Sequence, residues 1–133
     1  MQIGILKVKV QLLCGDEFAM GPGKANLLEA IDREHSISGA GRLLGMSYRR
    51  TWLLVDSMNR CWTHKLVETL PGGGRERGAR LTDTGRAVLG AYRAIEAEMA
   101  RSAEGDALET LRTLLREQPL PAQSGNRSVS PTG

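Results

Sequence analysis

The stretch from Ser36 to Trp62, SISGAGRLLGMSYRRTWLLVDSMNRCW, decides the fold. Apolar residues recur at helical spacing after Ser36 and Ser38, either of which can cap the start of a short helix. Gly45 follows where a helix end favours a left-handed backbone, and Ser47 is placed to cap a second helix. Two helices separated by so short a turn predict a helix-turn-helix.

In the second helix of this motif, apolar and charged residues lie on different sides. At about 100° per residue, one side carries bulky and mostly apolar groups, namely Tyr48, Trp52, Val55, Asn59 and Trp62. The other side carries the charged residues Arg49, Arg50, Asp56 and Arg60. An apolar back with a basic front suits insertion in the major groove, although an amphipathic helix with a solvated charged face shows the same pattern. The predicted DNA contacts of this motif are Ser36, Ser38, Ser47, Tyr48, Arg49, Arg50 and Arg60.

A glycine- and arginine-rich loop follows between two plausible strands. The strands are predicted at residues 65–70 and 79–82, and the intervening PGGGRERG breaks regular structure. In this position the hairpin resembles the wing of a winged helix, with Arg75, Arg77 and Arg80 available to phosphates or to a narrow minor groove. A solvated hairpin tip is the alternative.

The sequence before the motif predicts a strand, a loop and a helix. Residues 3–13 alternate β-branched and polar groups, which predicts one half-buried strand, and residues 15–23 are expected to form a turn and loop. Residues 24–35 predict a helix with a stripe of buried Leu27, Leu28, Ala30 and Ile31. Gly39 and Gly41, inside the first helix of the motif, indicate either close packing or fraying.

A long apolar stripe runs along the helix that Thr82 or Thr84 would begin. Its members are Val88, Ala91, Tyr92, Ile95 and Met99. A winged core does not need so long a helix, so we expect part of this stripe to form a two-fold dimer interface. Residues 107–116 are amphipathic and either extend that contact or fold back as a hairpin.

These elements predict a mainly α fold with small β elements. It is a winged helix-turn-helix with an N-terminal strand, a two-stranded wing and a long C-terminal dimerisation helix. The expected boundaries are a DNA-binding domain over 1–81, a dimerisation helix or helical hairpin over 82–117, and a disordered tail over 118–133.

Composition narrows the function classes. The chain has 133 residues and a net charge of +3, and its positive charge concentrates on the helix-turn-helix, as nucleic-acid binding requires. Cys14 and Cys61 lie far apart in the sequence and fit free thiols in a reducing cytoplasm. No residue pattern predicts an enzyme, a metal site, a cofactor, a nucleotide-binding loop or a membrane span.

The motifs in order resemble one family. SIS, then G-x-SY-x-x-TW and MN, then LVE, GGG and LTDTGRAVLGAY, resemble the DNA-binding domain of the ModE family of molybdate-responsive regulators, a winged helix related to the LysR-type head. The resemblance covers about residues 3–103. It implies a homodimer on a palindromic operator, with Ser47 to Arg50 toward DNA and Asn59 in a structural role.

The chain departs from that family after Arg101. Nothing there resembles the β domains that bind molybdate or tungstate, so we expect a DNA-binding domain without oxyanion sensing and no molybdate binding. The leading interpretation is a dimeric DNA-binding transcriptional regulator linked to molybdenum-related gene control. The alternative is a winged-helix protein-interaction module, or a heterodimer partner of a full-length regulator, without DNA reading of its own; an exposed Leu53 would favour that class.

Overall fold

Five helices and three small antiparallel sheets make up the part of the chain described by the computed structural model, which comprises residues 2–71 and 78–122. The strands are β1 Gln2–Ile3, β2 Leu6–Lys7, β3 Leu12–Cys14, β4 Glu17–Met20, β5 Val67–Thr69 and β6 Ala79–Leu81. The helices are α1 Pro22–Glu34, α2 Ile37–Leu43, α3 Tyr48–Cys61, α4 Asp83–Ser102 and α5 Asp106–Leu114. The predicted mainly α, winged-helix-like fold is confirmed.

The helix-turn-helix forms where the sequence predicts it. Of the two candidate serines, Ser36 caps α2, because its Oγ accepts the Gly39 N–H at 2.9 Å. Ser47 caps α3 by accepting the Arg50 N–H at 3.1 Å. Gly45 has a φ of 74° in the turn between the helices, a backbone conformation that glycine adopts without the steric cost of a Cβ.

Gly41 explains how α2 and α3 pack so closely. A Cβ at Gly41 would lie 2.2 Å from the Oγ1 and 3.0 Å from the Cβ of Thr51, a fully buried residue of α3. The Thr51 hydroxyl also donates to the Ser47 carbonyl at 2.8 Å, which fixes the side-chain rotamer. Of the two explanations for this glycine, the structure therefore selects close packing.

The wing strands flank the predicted loop. β5 and β6 pair antiparallel with Val67 opposite Leu81 and Thr69 opposite Ala79. The Leu70 N–H donates to the Gly78 carbonyl at 2.8 Å, which closes the base of the loop. Thr82, not Thr84, caps α4 by accepting the Gly85 N–H at 2.9 Å, so the long helix starts directly after the wing.

The single N-terminal strand predicted over residues 3–13 is wrong. Two hairpins stand there instead: β1 pairs with β2 around Gly4, whose φ is 57°, and β3 pairs with β4. The predicted loop over 15–23 is likewise wrong, because β4 and the first turn of α1 occupy most of it. Gly15–Asp16 between two apolar runs is a hairpin signal that the alternation over 3–13 obscured.

One apolar core joins the helix-turn-helix, the wing and the hairpin β3–β4. The four residues predicted as the buried stripe of α1 all lie in it. α4 contributes Tyr92 to this core, and β4 contributes Met20. The chain divides into two compact units, residues 1–103 and 104–133, so α4 belongs to the first unit and α5 to the second. The final residues 123–133, part of the predicted disordered tail, lie outside the described residues.

Gly41→Ala should destabilise the protein. The added methyl would overlap Thr51, and overpacking of this kind costs about 1–3 kcal/mol. Urea unfolding followed by circular dichroism measures the decrease in stability. Gly90→Ala is the matched control, since a Cβ there meets nothing within 4 Å and should raise the free energy of unfolding by up to about 1 kcal/mol. Equal stability of the Gly41→Ala variant and the wild type would contradict the close-packing account.

Candidate nucleic-acid interface

The first turn of α3 presents the residues predicted to meet DNA. Tyr48 is 68% exposed, and Arg49 and Arg50 are exposed beside it. The Ser47 Oγ is occupied as an acceptor by the α3 cap, although its O–H remains a donor. These four residues therefore lie together at the solvent-facing start of the helix.

The two serines of α2 are half-buried. The Ser36 Oγ is used to cap its own helix, and the hydroxyl proton remains available to an acceptor. Ser38 lies two residues further along α2. Contact of either serine with DNA stays a prediction.

The buried face of α3 differs from the predicted one. Thr51, Val55 and Met58 are the deeply buried residues, whereas Tyr48, expected on the apolar side, projects into solvent. The Tyr48 and Trp52 rings remain in contact, with centroids 6.1 Å apart and planes tilted by 56°. A helical wheel alone missed Thr51 because its polarity conceals a packing role against Gly41.

Asn59 fixes β5 to α3. Its Oδ1 accepts the N–H groups of Leu66 and Val67 at 2.9 and 3.1 Å, and its Nδ2 donates to the Val67 carbonyl at 3.1 Å. Three hydrogen bonds to the start of β5 confirm the structural role expected of Asn59. They leave its amide committed to the backbone of the protein.

The hairpin β3–β4 contacts the C-terminal half of α3. Glu17, directly after the turn, accepts hydrogen bonds from the Ser57 hydroxyl at 2.7 Å and from Arg60 at 2.9 Å. Arg60 also pairs with Asp56 at 2.9 Å within the helix. Arg60, predicted to contact DNA, is therefore held by two carboxylates, and its contact with DNA remains untested. Sequence reasoning missed Glu17 and Ser57 because they lie 40 positions apart.

Of the three arginines predicted in the wing, the structure describes only Arg80. Arg80 lies on β6 and pairs with Glu68 across the strands at 2.7 Å, with 58% of its side chain exposed. Arg75 and Arg77 lie outside the described residues. Contact of the wing arginines with DNA stays a prediction.

Cys14 and Cys61 approach each other despite their separation in the sequence. Both are free thiols, Cys14 on β3 and Cys61 at the end of α3. Burial, followed by a hydrogen bond with Cys14, raises the pKa of the Cys61 thiol above its ordinary value. The hairpin-to-helix contact that places Glu17 on Arg60 thus also brings the two thiols together.

An apolar groove follows one face of α4. It has a volume of about 240 Å³, and α4 lines it with Ala87, Val88, Ala91 and Ile95, while β3 and β4 add Leu12 and Met20. Ile95 and Met99 are 39% and 44% exposed. Four of the five predicted interface residues therefore remain at least partly accessible to a partner.

The structure corrects the placement of Tyr92, the fifth predicted interface residue. Tyr92 is 2% exposed, and its hydroxyl donates to the Val10 carbonyl at 2.6 Å. Burial, assisted by Glu96, raises the pKa of Tyr92 to about 12, which keeps the phenol neutral. Tyr92 therefore anchors α4 to the N-terminal segment and forms the floor of the groove, because its aromatic ring turns inward from the stripe.

The described residues contain no group of three or more His, Cys, Asp or Glu placed to hold a metal ion. None of the described helices is both long and apolar enough to cross a membrane.

Ser57→Ala should raise the pKa of Glu17. The hydrogen bond from Ser57, followed by that from Arg60, holds the pKa of the Glu17 carboxyl below its ordinary value of 4.5. A lowered folded-state pKa means that the stabilising contribution is complete above pH 4.5 and disappears as the pH falls through the lowered value. Carboxyl ¹³C NMR titration measures the shift, with Ser38→Ala as the control. An unchanged Glu17 titration in Ser57→Ala would refute the assigned contact.

Part of the chain is similar in sequence to known proteins whose names concern molybdenum. No family model matches the chain. It is 40% identical over 80 residues to the molybdenum transport protein ModE of Azotobacter vinelandii, which is 60% of this chain and 30% of that protein. It is 43% identical over 82 residues to the molybdenum-pterin-binding protein MopB of Rhodobacter capsulatus, which is 62% of this chain and 30% of that protein.

A protein described as a transcriptional regulator is similar over a somewhat shorter stretch. The DNA-binding transcriptional dual regulator ModE of Escherichia coli is 35% identical over 71 residues, which is 53% of this chain and 27% of the regulator. The chain thus spans less than a third of the length of these curated relatives. Together the similarities relate 53–62% of this chain to proteins described as ModE or as molybdenum-pterin-binding.

Proposed function

We propose that this chain is a dimeric DNA-binding transcriptional regulator whose helix α3 reads the major groove. The exposed cluster of Tyr48, Arg49 and Arg50 at the start of α3 carries this proposal. The N-terminal residues of a recognition helix are the ones that reach base edges and phosphates. The similarity to relatives described as transcriptional regulators supports the same function.

Contacts along α3 hold it in a fixed position, which favours recognition of a DNA sequence. Thr51 packs closely against α2, Asn59 accepts a hydrogen bond from the backbone beside β5, and Arg60 pairs with Glu17. Guanidinium groups on a fixed helix can approach a guanine edge or a phosphate with bidentate geometry. Arg49 and Arg50 are the leading contacts, since Arg60 and Arg80 already pair with carboxylates.

A homodimer completes the proposal. The apolar groove along α4 offers Val88, Ala91, Ile95 and Met99 to a second copy, and a two-fold axis would present two α3 helices to a palindromic operator. The names of the relatives concern molybdenum, so we assign the regulated genes to molybdenum-related metabolism. Molybdate binding by this chain is not part of the proposal.

Leu53 favours one competing function. It is 55% exposed on α3, where it can contact either a thymine methyl group or an apolar protein surface. A winged-helix protein-interaction module, or a heterodimer partner of a longer regulator, would use that surface without reading DNA. The substitution of both arginines distinguishes the two functions.

Arg49→Gln/Arg50→Gln should weaken DNA binding by about tenfold or more, because each bidentate base contact contributes about 1–3 kcal/mol. The measurement is fluorescence anisotropy on a selected duplex and a random duplex across salt. Arg33→Gln/Arg101→Gln removes the same charge from the ends of α1 and α4 and should bind like the wild type. Wild-type binding that is absent or independent of salt would rule out the regulator and favour the interaction module.

Ile95→Glu should shift the dimer toward monomer, since it places a carboxylate in an apolar interface. Sedimentation velocity over a concentration series measures the shift. Ala94→Glu adds the same charge at the neighbouring exposed position, about 100° around α4, and should preserve the dimer. A wild-type monomer at all concentrations, or equal dissociation of both variants, would contradict the assigned interface.

A further inference from the structure

A basic groove runs beside the recognition helix and shares Arg50 with the exposed first turn of α3. It has a volume of about 490 Å³ and lies between the segment around β2, the start of α1 and α3. Its cationic lining residues are Lys7, Lys9, Lys24 and Arg50, and no Asp or Glu lines it. We call this feature the N-terminal basic groove.

The recognition helix forms one wall of this groove. Arg50 and Leu54 come from α3, and Met46 comes from the turn of the helix-turn-helix. Arg50 therefore belongs both to the exposed start of α3 and to the groove. A ligand bound along the groove would be continuous with whatever α3 contacts.

Three cations of the groove, Lys7, Lys9 and Arg50, differ from five arginines elsewhere in the described chain, which are paired with carboxylates. Arg60, Arg80, Arg86, Arg93 and Arg112 each pair with a carboxylate at 2.7–3.1 Å. No carboxylate among residues 2–71 and 78–122 forms an ion pair with Lys7, Lys9 or Arg50. Their charge is therefore left for an anion outside this part of the chain.

Lys24 has a different role from the other three cations. Its ammonium donates to the Phe18 carbonyl, which ties β4 to the start of α1, and its charge contributes to lowering the pKa of Glu17. Lys24 thus shapes the groove. Lys7 and Lys9, from the segment around β2, and Arg50, from α3, are exposed. These three residues therefore supply the positive electrostatic potential of the groove.

We propose that the N-terminal basic groove binds the phosphate backbone of DNA flanking the bases that α3 contacts. This inference rests on the proposed function, since α3 is both the reader and a wall of the groove. A helix inserted in the major groove has phosphate backbones along both sides, and lysines neutralise phosphates as point charges. The groove would serve as a second backbone contact beside α3 and would add affinity that does not depend on base sequence.

Lys7→Gln/Lys9→Gln tests this contact, because both residues are exposed and neither belongs to the apolar core. Binding is measured by fluorescence anisotropy on selected and random duplexes from low to high salt. The slope of log K against log salt should become shallower by about 0.9 for each phosphate that the variant no longer neutralises. Affinity should fall by the same factor on both duplexes, in contrast to Arg49→Gln/Arg50→Gln, which should weaken binding more on the selected duplex.

Arg33→Gln/Arg101→Gln is the matched control, since it lowers the net charge equally outside the groove. Hydroxyl-radical footprinting adds a second measurement: wild type and control should protect flanking sugar positions that Lys7→Gln/Lys9→Gln leaves exposed. Steep wild-type binding with equal slopes and footprints for the lysine and control variants would overturn the groove contact and leave the regulator standing. Absence of wild-type DNA binding would overturn both.

Discussion

The contact between Gly41 and Thr51 is the constraint on which the rest of the structure depends. It sets the distance between α2 and α3, and neither residue can change size without moving one helix. Thr51 is fully buried and bonded to Ser47, so the same side chain that packs against α2 also secures the first turn of α3. Because Arg49 and Arg50 stand on that first turn, their position relative to the core follows from this one close approach.

Segments upstream and downstream of α3 in the sequence also hold this helix in place. Asn59 bonds to the backbone at the start of β5, downstream of the helix, and Glu17 in the upstream hairpin holds Ser57 and Arg60. Exposed ion pairs contribute little free energy, so we assign the Glu17 contacts mainly to orientation. The result is a separation of roles among the cations: Arg60 and Arg80 stabilise geometry, while Arg49, Arg50, Lys7 and Lys9 present their charge to solvent.

Much of the fold could be predicted because its signals are local. Caps at Ser36, Ser47 and Thr82, the left-handed Gly45 and the strands around the wing follow from backbone geometry within a few residues. The N-terminal region could not be predicted as well. Its alternating pattern fits one strand, and only the pairing across Gly4 and across Gly15–Asp16 shows that the chain reverses twice. Part of the candidate site could also be predicted from sequence, because the exposure of Arg49 and Arg50 follows from the cap and the helical period of α3, whereas the helical period placed Tyr48 on the apolar side.

The sequence by itself determined that two helices meet at the turn around Gly45, that two strands flank the glycine-rich loop and which residues open α3, because capping, turn chemistry and periodicity act over short distances. Only the tertiary structure decided which charges are already paired, that Tyr92 turns into the core, and that Lys7, Lys9 and Arg50 line one groove. These are contacts between residues tens of positions apart. No local pattern encodes them, since they depend on how the hairpins and helices pack around the shared apolar core.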